Sequence, residues 1–192
     1  MSRKYHLGAD HHAHFVTFAV LDWIDFFTRK EYSEIFIQSI NYCQDHKGLE
    51  VFGYCIMPSH IHLIIRAKDK ERLEAIIRDL KRHTSKSYHK ILEDKSLNWE
   101  SRRRWLLWLM KHAGSYNTNN KGFQFWQQHN HPVELWSDEV FYQKLNYIHL
   151  NPVVAGFVSQ PEEWLYSSAR DQAGLLGFVI WLIIDPRAES SM

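Results

Sequence analysis

The feature that most constrains this chain is the run Met57-Pro58-Ser59-His60-Ile61-His62-Leu63-Ile64-Ile65. A proline–serine turn leads into alternating polar and aliphatic residues and then into an unbroken apolar stretch. That is the pattern of a strand buried in a sheet. Side chains alternate between the faces of a strand, so His60 and His62 share one face while Ile61, Leu63 and Ile65 share the other. Two imidazoles side by side on a rigid platform suit a divalent metal such as Mg²⁺, Mn²⁺ or Zn²⁺. The spacing alone is common in a chain with 13 histidines, and His12-Ala13-His14 and His129-Asn130-His131 repeat it. Position sets His60 and His62 apart, at the head of a strand expected to be central.

The elements around that strand alternate between α and β. Ala13–Leu21, rich in β-branched and aromatic residues, reads as a first strand. Arg29–Lys47 reads as a helix with Gly48 as its stop. Leu49–Ile56 and Ile61–Arg66 follow as strands joined by the Pro58-Ser59 turn. Glu71–Glu93 is a long amphipathic helix, and Ser101–His112 a shorter one opened by three arginines. Phe123–Trp136 is expected to supply a fourth strand, with Pro132 confining part of it to an edge or bend. Ser137 then caps a helix whose first turn carries Asp138 and Glu139. The polar run Ser115–Lys121 reads as an exposed loop. The order strand–helix–strand–strand–helix–strand predicts an α+β, ferredoxin-like (RRM-like) antiparallel sheet with helices packed on one face, plus a further helix. Such a fold assigns no function by itself.

On that further helix, Phe141, Leu145 and Ile148 form the core-facing stripe, and Lys144, Tyr147 and Asn151 lie on the neighbouring one. Tyr147 and Asn151 are four apart and therefore share a face. Asn151 before Pro152 equally suits a helix stop, and its amide oxygen could be offered to a metal from that last turn.

Composition supplies the remaining bounds. At 192 residues, with 45% hydrophobic and 15% aromatic residues, the chain is expected to form one domain with a sizeable core. Cys43 and Cys55 match no metal-ligand spacing and read as reduced thiols of a cytosolic protein, with a disulfide left open. The apolar run Leu175–Ile184 is too short to cross a bilayer, so no membrane partner is expected. The net charge of +1 hides an asymmetry: Arg66–His112 holds 14 Lys/Arg against seven Asp/Glu, whereas the remainder holds nine against 15. That surplus points to a polyanion, or to a solvated helix face. Lys81, Arg82, Lys86, Lys90, Arg102, Arg103 and Arg104 are its candidate phosphate contacts. Trp105, Trp108, Trp126 and Trp136 read mostly as core, with base stacking as the alternative.

Three ordered segments resemble a known family. Met57-Pro58-Ser59-His60-Ile61-His62-Leu63 resembles the Met-Pro-Asn-His-hydrophobic-His signature of the HUH single-tyrosine transposases of the insertion-sequence-200 type. Tyr147-Ile148-His149-Leu150-Asn151-Pro152-Val153-Val154-Ala155-Gly156-Phe157-Val158 is similar to the tyrosine helix of their relatives, the REP-associated tyrosine transposases. Trp164-Leu165-Tyr166-Ser167-Ser168-Ala169-Arg170-Asp171 resembles the segment that follows there. The resemblance implies a single transposase domain over residues 1–174, with 175–192 as a C-terminal strand or tail. For Gly177–Met192 a final edge strand, a homodimer contact and a disordered tail all stay open.

By the same resemblance, Tyr147 matches the nucleophile and His60 and His62 match two ligands of a Mg²⁺ or Mn²⁺ ion. Asn151 falls at the third ligand, where the family often has glutamine, and Ser59 replaces the commoner asparagine. A phenol is a weak nucleophile at neutral pH because nearly all of it is protonated, so a nearby cation has a clear use. The implied activity is cleavage and rejoining of single-stranded or hairpin DNA through a 5′-phosphotyrosine, in transposition or in the mobilisation of hairpin-flanked repeats. The alternatives are a non-catalytic single-stranded nucleic-acid binder on the same fold, and, more remotely, a metal-dependent hydrolase.

Overall fold

The computed structural model describes residues 12–68, 72–116, 122–128 and 132–179. The His129/His131 pair, most of the Ser115–Lys121 run and most of the Gly177–Met192 tail lie outside those residues. Its elements are β1 (Ala13–Ala19), α1 (Lys30–Lys47), β2 (Leu49–Ile56), β3 (His60–Ala67), α2 (Leu73–Glu93), α3 (Arg103–Ser115), β4 (Val133–Leu135), α4 (Asp138–Val154) and α5 (Ala169–Gln172). The four strands form one sheet in the order β2-β3-β1-β4, every pairing antiparallel. This is the ferredoxin-like arrangement.

The strand period sorts the sheet into two different faces. Val16, Phe18 and Val20 join Ile61, Leu63 and Ile65 on the face covered by α1, α2 and α3. The core there is aromatic at its centre, with Phe26 stacked on Tyr32 at 3.9 Å and Tyr88 beside Phe125 at 4.4 Å. On the opposite face, Phe15, Phe52, Cys55 and Ile64 meet Leu145 and Ile148 of α4 in a smaller core. Burying each of those two α4 side chains contributes about 1.5–3 kcal/mol. Helix α4 is thus the one long helix on that face among the described residues.

Local chemistry explains the boundaries. Gly48 takes φ 63° and its N–H bonds Cys43 O, ending α1. Ser137 accepts from Val140 N and starts α4. Helix α4 does not stop at Asn151-Pro152 but continues to Val154, because a proline in the last turn removes only one helical bond. The fourth strand is shorter than expected. Phe125 and Trp126 turn into the aromatic core, and Trp126 makes only an isolated bridge to Val20. Regular pairing resumes at Val133, after Pro132.

Two devices hold α4 against the sheet. Gly53 of β2 leaves room for it, since a Cβ there would stand 2.6 Å from Leu145 Cδ1 and displace that packed leucine. Segment 164–168 runs along the outer edge of β2, with Ile56 N bonded to Tyr166 O and Trp164 Nε1 to Ile56 O, both at 2.9 Å. It covers an edge that would otherwise present unpaired backbone. From this segment Ser168 Oγ accepts from Tyr54 N at 2.9 Å and meets His149 Nε2 of α4 at 2.8 Å. No helix among the described residues is long and apolar enough to cross a membrane.

His149 is 5% exposed, and burial pushes its pKa from 6.5 down to about 4. Between those values the unfolded imidazole is protonated and the folded one is not. Stability therefore falls as pH drops from 6.5 towards 4, on the order of 3 kcal/mol for this group. Urea-midpoint measurements against pH are expected to show this acid limb, and His149→Gln, which keeps an N–H for Ser168, is expected to make it shallower, leaving the share that belongs to His14, His60 and His62.

Candidate active site

The pairing of β1 with β3 sets Thr17 opposite His62 and Ala19 opposite His60. His62 Nδ1 lies 2.8 Å from Thr17 Oγ1, and His60 Nδ1 lies 3.1 Å from Ser59 Oγ. Each ring is thereby oriented by a hydroxyl, and the two Nε2 atoms converge to 3.1 Å. Asn151 Nδ2 of α4 stands 3.3 Å from His62 Nε2. With Nδ1–H donating to Thr17, His62 Nε2 accepts from Asn151 Nδ2, and with Nδ1–H of His60 donating to Ser59, the His60 Nε2 lone pair also faces the shared space. His62 is 4% exposed, and burial, helped by His60 and Lys144, pushes its pKa down to about 3. Burial lowers His60 as well. Both rings are neutral at pH 7, with lone pairs available to a cation.

Tyr147 completes the cluster. Its ring meets His62 edge-on at 5.3 Å and Phe15 at 5.9 Å, while Phe15 stacks on His62 at 5.3 Å. Phe15 is therefore the floor that sets two rings at once. Tyr147 is nevertheless 49% exposed. Lys144, one turn earlier, holds Nζ 5.0 Å from the centre of the Phe15 ring and 5.6 Å from that of Tyr147. The structure brings His60, His62, Tyr147 and Asn151 together from two elements. It adds Thr17, Phe15 and Lys144, of which only Lys144 was signalled in the sequence, by its place on the tyrosine stripe. Among the described residues no group of three or more His, Cys, Asp or Glu could hold a metal. The Asn151 amide is the side chain of α4 that reaches His62 Nε2.

Three comparisons with known proteins bear on the chain. The family model described as "Transposase IS200 like" matches residues 9–106, which include His60 and His62 and end before α4. A Haemophilus influenzae protein bearing the name REP-associated tyrosine transposase is 27% identical over 125 residues, 65% of this chain. This match spans 61% of that relative's length. The solved structure of a REP-associated tyrosine transposase bound to a REP hairpin superposes with a TM-score of 0.63, over 96% of this chain and 93% of that one. At 18% identity this likeness shows the fold.

The basic stretch does not gather on the sheet face that carries the histidines. Helices α2 and α3 pack on the opposite sheet face, so their cations do not line the His60/His62 face. Lys81 turns inward, its Nζ 3.3 Å from Gln127 O and over the Phe18 ring, and burial pushes its pKa down to about 8. Arg82 pairs with Asp79 at 2.7 Å, and Arg103 donates to Asp94 O at 2.7 Å. Lys86, Lys90 and Arg104 are exposed. Of the four tryptophans read mostly as core, only Trp126 is buried; Trp105, Trp108 and Trp136 are exposed. Arg102 has an internal role: it grips buried Glu100 with two bonds at 3.0 Å and donates to Asp25 O at 2.6 Å and Thr28 Oγ1 at 3.1 Å. Arg102→Ala is expected to cost about 2–3 kcal/mol, because it strands a buried carboxylate. Arg104→Ala is expected to stay within about 0.5 kcal/mol. Denaturant midpoints of the two variants check the contrast.

Proposed function

Because the chain belongs to the IS200-like transposase family, we propose that it cleaves and rejoins single-stranded DNA with Tyr147 as nucleophile and a Mg²⁺ or Mn²⁺ ion held by His60, His62 and Asn151. The observation that carries this reading is the half-exposed Tyr147 ring against His62, with Asn151 one turn further on reaching the same imidazole. A purely structural tyrosine has no need of two neutral, convergent imidazoles beside it.

The donor set fits such an ion. Each Nδ1 is occupied by a hydroxyl, each Nε2 faces the shared space, and a flip of the Asn151 amide presents its oxygen. When bound, the ion polarises the scissile phosphate and stabilises charge developing on the leaving 3′-oxygen. Tyr147 Oη forms the new bond to phosphorus as the bond to the 3′-oxygen breaks. The phenolic proton passes to solvent, and the departing 3′-oxygen takes one up. The products are a 5′-phosphotyrosine and a free 3′-hydroxyl. Because the phosphoester is conserved, an incoming 3′-hydroxyl reverses the step and joins strands without ATP. Phe15 fixes the approach of the phenol, and Lys144 offsets phosphate charge beside it.

The substrate class follows from the same geometry. A phosphate must reach a phenol lying against the sheet, which a flexible single strand does more readily than a stacked duplex. The hairpin carried by the structural neighbour supports a hairpin with a single-stranded flank as the substrate here. We place the reaction in DNA transposition, or in the mobilisation of hairpin-flanked repeats, in the cytoplasm.

Tyr147→Phe is expected to abolish a denaturation-resistant protein–DNA adduct while leaving stability within about 0.5 kcal/mol. The assay uses single strands from the DNA flanking the coding sequence, with Mn²⁺. The adduct is expected to retain a 3′-end label and to release a 5′-end label. An adduct that persists in Tyr147→Phe, or its absence from wild type on every flank, overturns the reading; the latter favours a binding protein without catalysis. Thr17→Val removes the partner of His62 Nδ1, and Mn²⁺ affinity measured calorimetrically without DNA is expected to fall about 10–100-fold.

A further inference from the structure

The proposed reaction leaves Trp23 unused, and its placement is unusual. The chain leaves β1 through a short 3₁₀ turn, Leu21–Trp23, in which Asp22 and Trp23 take φ 52° and 55°. Left-handed backbone is disfavoured for side chains of this kind, and two in succession persist only where the surroundings hold them. Here they are held from several sides. Val20 N bonds Ser59 O at 2.9 Å, Leu21 N bonds Phe125 O at 2.8 Å, and Phe27 N bonds Pro58 O at 2.8 Å. Asp22 N donates to Gln127 Oε1 at 3.1 Å, and Arg102 clamps Asp25 O. Leu21, Phe26 and Phe27 are buried on either side of the turn, yet Trp23 swings outward and remains 54% exposed.

The direction of that swing is informative. The Trp23 ring meets His60 at 5.2 Å, on the other flank of the pair from Tyr147. Tyr147, His62, His60 and Trp23 thus form a row of rings, with neighbouring centroids 5.3, 4.6 and 5.2 Å apart. A strand whose phosphate lay over the histidines would pass a nucleotide across Trp23. A large, exposed aromatic ring on a rigid support beside a phosphate path is what sequence-tolerant base stacking requires.

We propose that Trp23 is a stacking platform for a nucleobase next to the scissile phosphate, holding the strand in register on the histidine pair. This rests on the reading that a single strand crosses His60 and His62, but not on Tyr147 being the nucleophile. Trp23 is a positioning residue, since it acts on the nucleotide next to the reacting phosphate.

The test compares the full chain with its Trp23→Ala and Trp23→Phe variants on two fluorescein-labelled strands, a dT 20-mer and a 20-mer of abasic sites with the same backbone. Trp23→Ala is expected to weaken binding of the dT strand roughly five- to 100-fold and to leave the abasic strand unchanged. Trp23→Phe is expected to keep most of the affinity, and Mn²⁺ affinity without DNA to stay within about twofold. Equal losses on both strands, no loss on either, or a wild type that does not prefer dT overturns the proposal. So does a parallel loss of Mn²⁺ affinity, which would make Trp23 a brace for His60. A wild type that forms the covalent adduct but shows no base-dependent effect of Trp23 refutes the platform alone. A base-dependent effect without adduct refutes the nucleophile alone.

Discussion

The ladder between β1 and β3 is the constraint on which the rest of the molecule depends. Both strands are central in the sheet and buried on both faces, so register is specified twice, once by each core. In that register Thr17 faces His62 and the small Ala19 faces His60. One partner supplies a hydroxyl that aims an imidazole; beside the other, the His60 ring meets His62 edge-on. A slip of one residue would send both histidines into the aromatic core beneath α1 and α2. The same pairing that stabilises the fold therefore orients the two imidazoles.

The two faces divide the work unequally. The aromatic core beneath α1, α2 and α3 carries most of the buried apolar surface, including Tyr32, Tyr88, Phe26 and Phe125. The α4 face has a thinner core, supplemented by Gly53, the Ser168–His149 contact and the strip along the edge of β2. A thinner core leaves Tyr147 half-exposed while its helix stays anchored. Were α4 packed as fully as α1, its tyrosine would be buried and no phosphate could reach it.

Much of this was legible in the sequence, and the gaps have physical causes. Period two placed His60 and His62 on one face, and 3.6-residue spacing placed Lys144, Tyr147 and Asn151 on one stripe. Both are local geometry, which sequence encodes directly. Secondary-structure order supplied the ferredoxin-like sheet. What escaped is non-local. Arg102 reads as one more cation in an arginine run until the chain folds Glu100, Asp25 and Thr28 around it. The basic run reads as a set of candidate phosphate contacts, and only the fold shows that the sheet lies between helices α2 and α3 and the histidines. Phe123–Trp136 reads as one strand because its residues favour strands, but the aromatic core claims Phe125 and Trp126 first. Trp23 gave no signal, because its left-handed turn depends on partners at Ser59, Phe125 and Gln127.

The protonation state of His62 ties these points together. Its Nε2 accepts from Asn151 and faces His60, while Nδ1 is committed to Thr17. A proton added at Nε2 would place a charge in a buried site beside His60 and the Lys144 cation, which accounts for a pKa pushed down to about 3. The pocket therefore rejects the smallest cation while aiming lone pairs at a common point. On the proposed reading, a divalent ion would differ from a proton in drawing on both imidazoles and the Asn151 amide at once. Its binding free energy is spread over several donors, whereas a proton can satisfy only one. On the reading proposed above, the convergence of the two Nε2 atoms, not the low basicity of His62, would favour a divalent ion, and the half-exposed Tyr147 ring lies against the imidazole that would hold it.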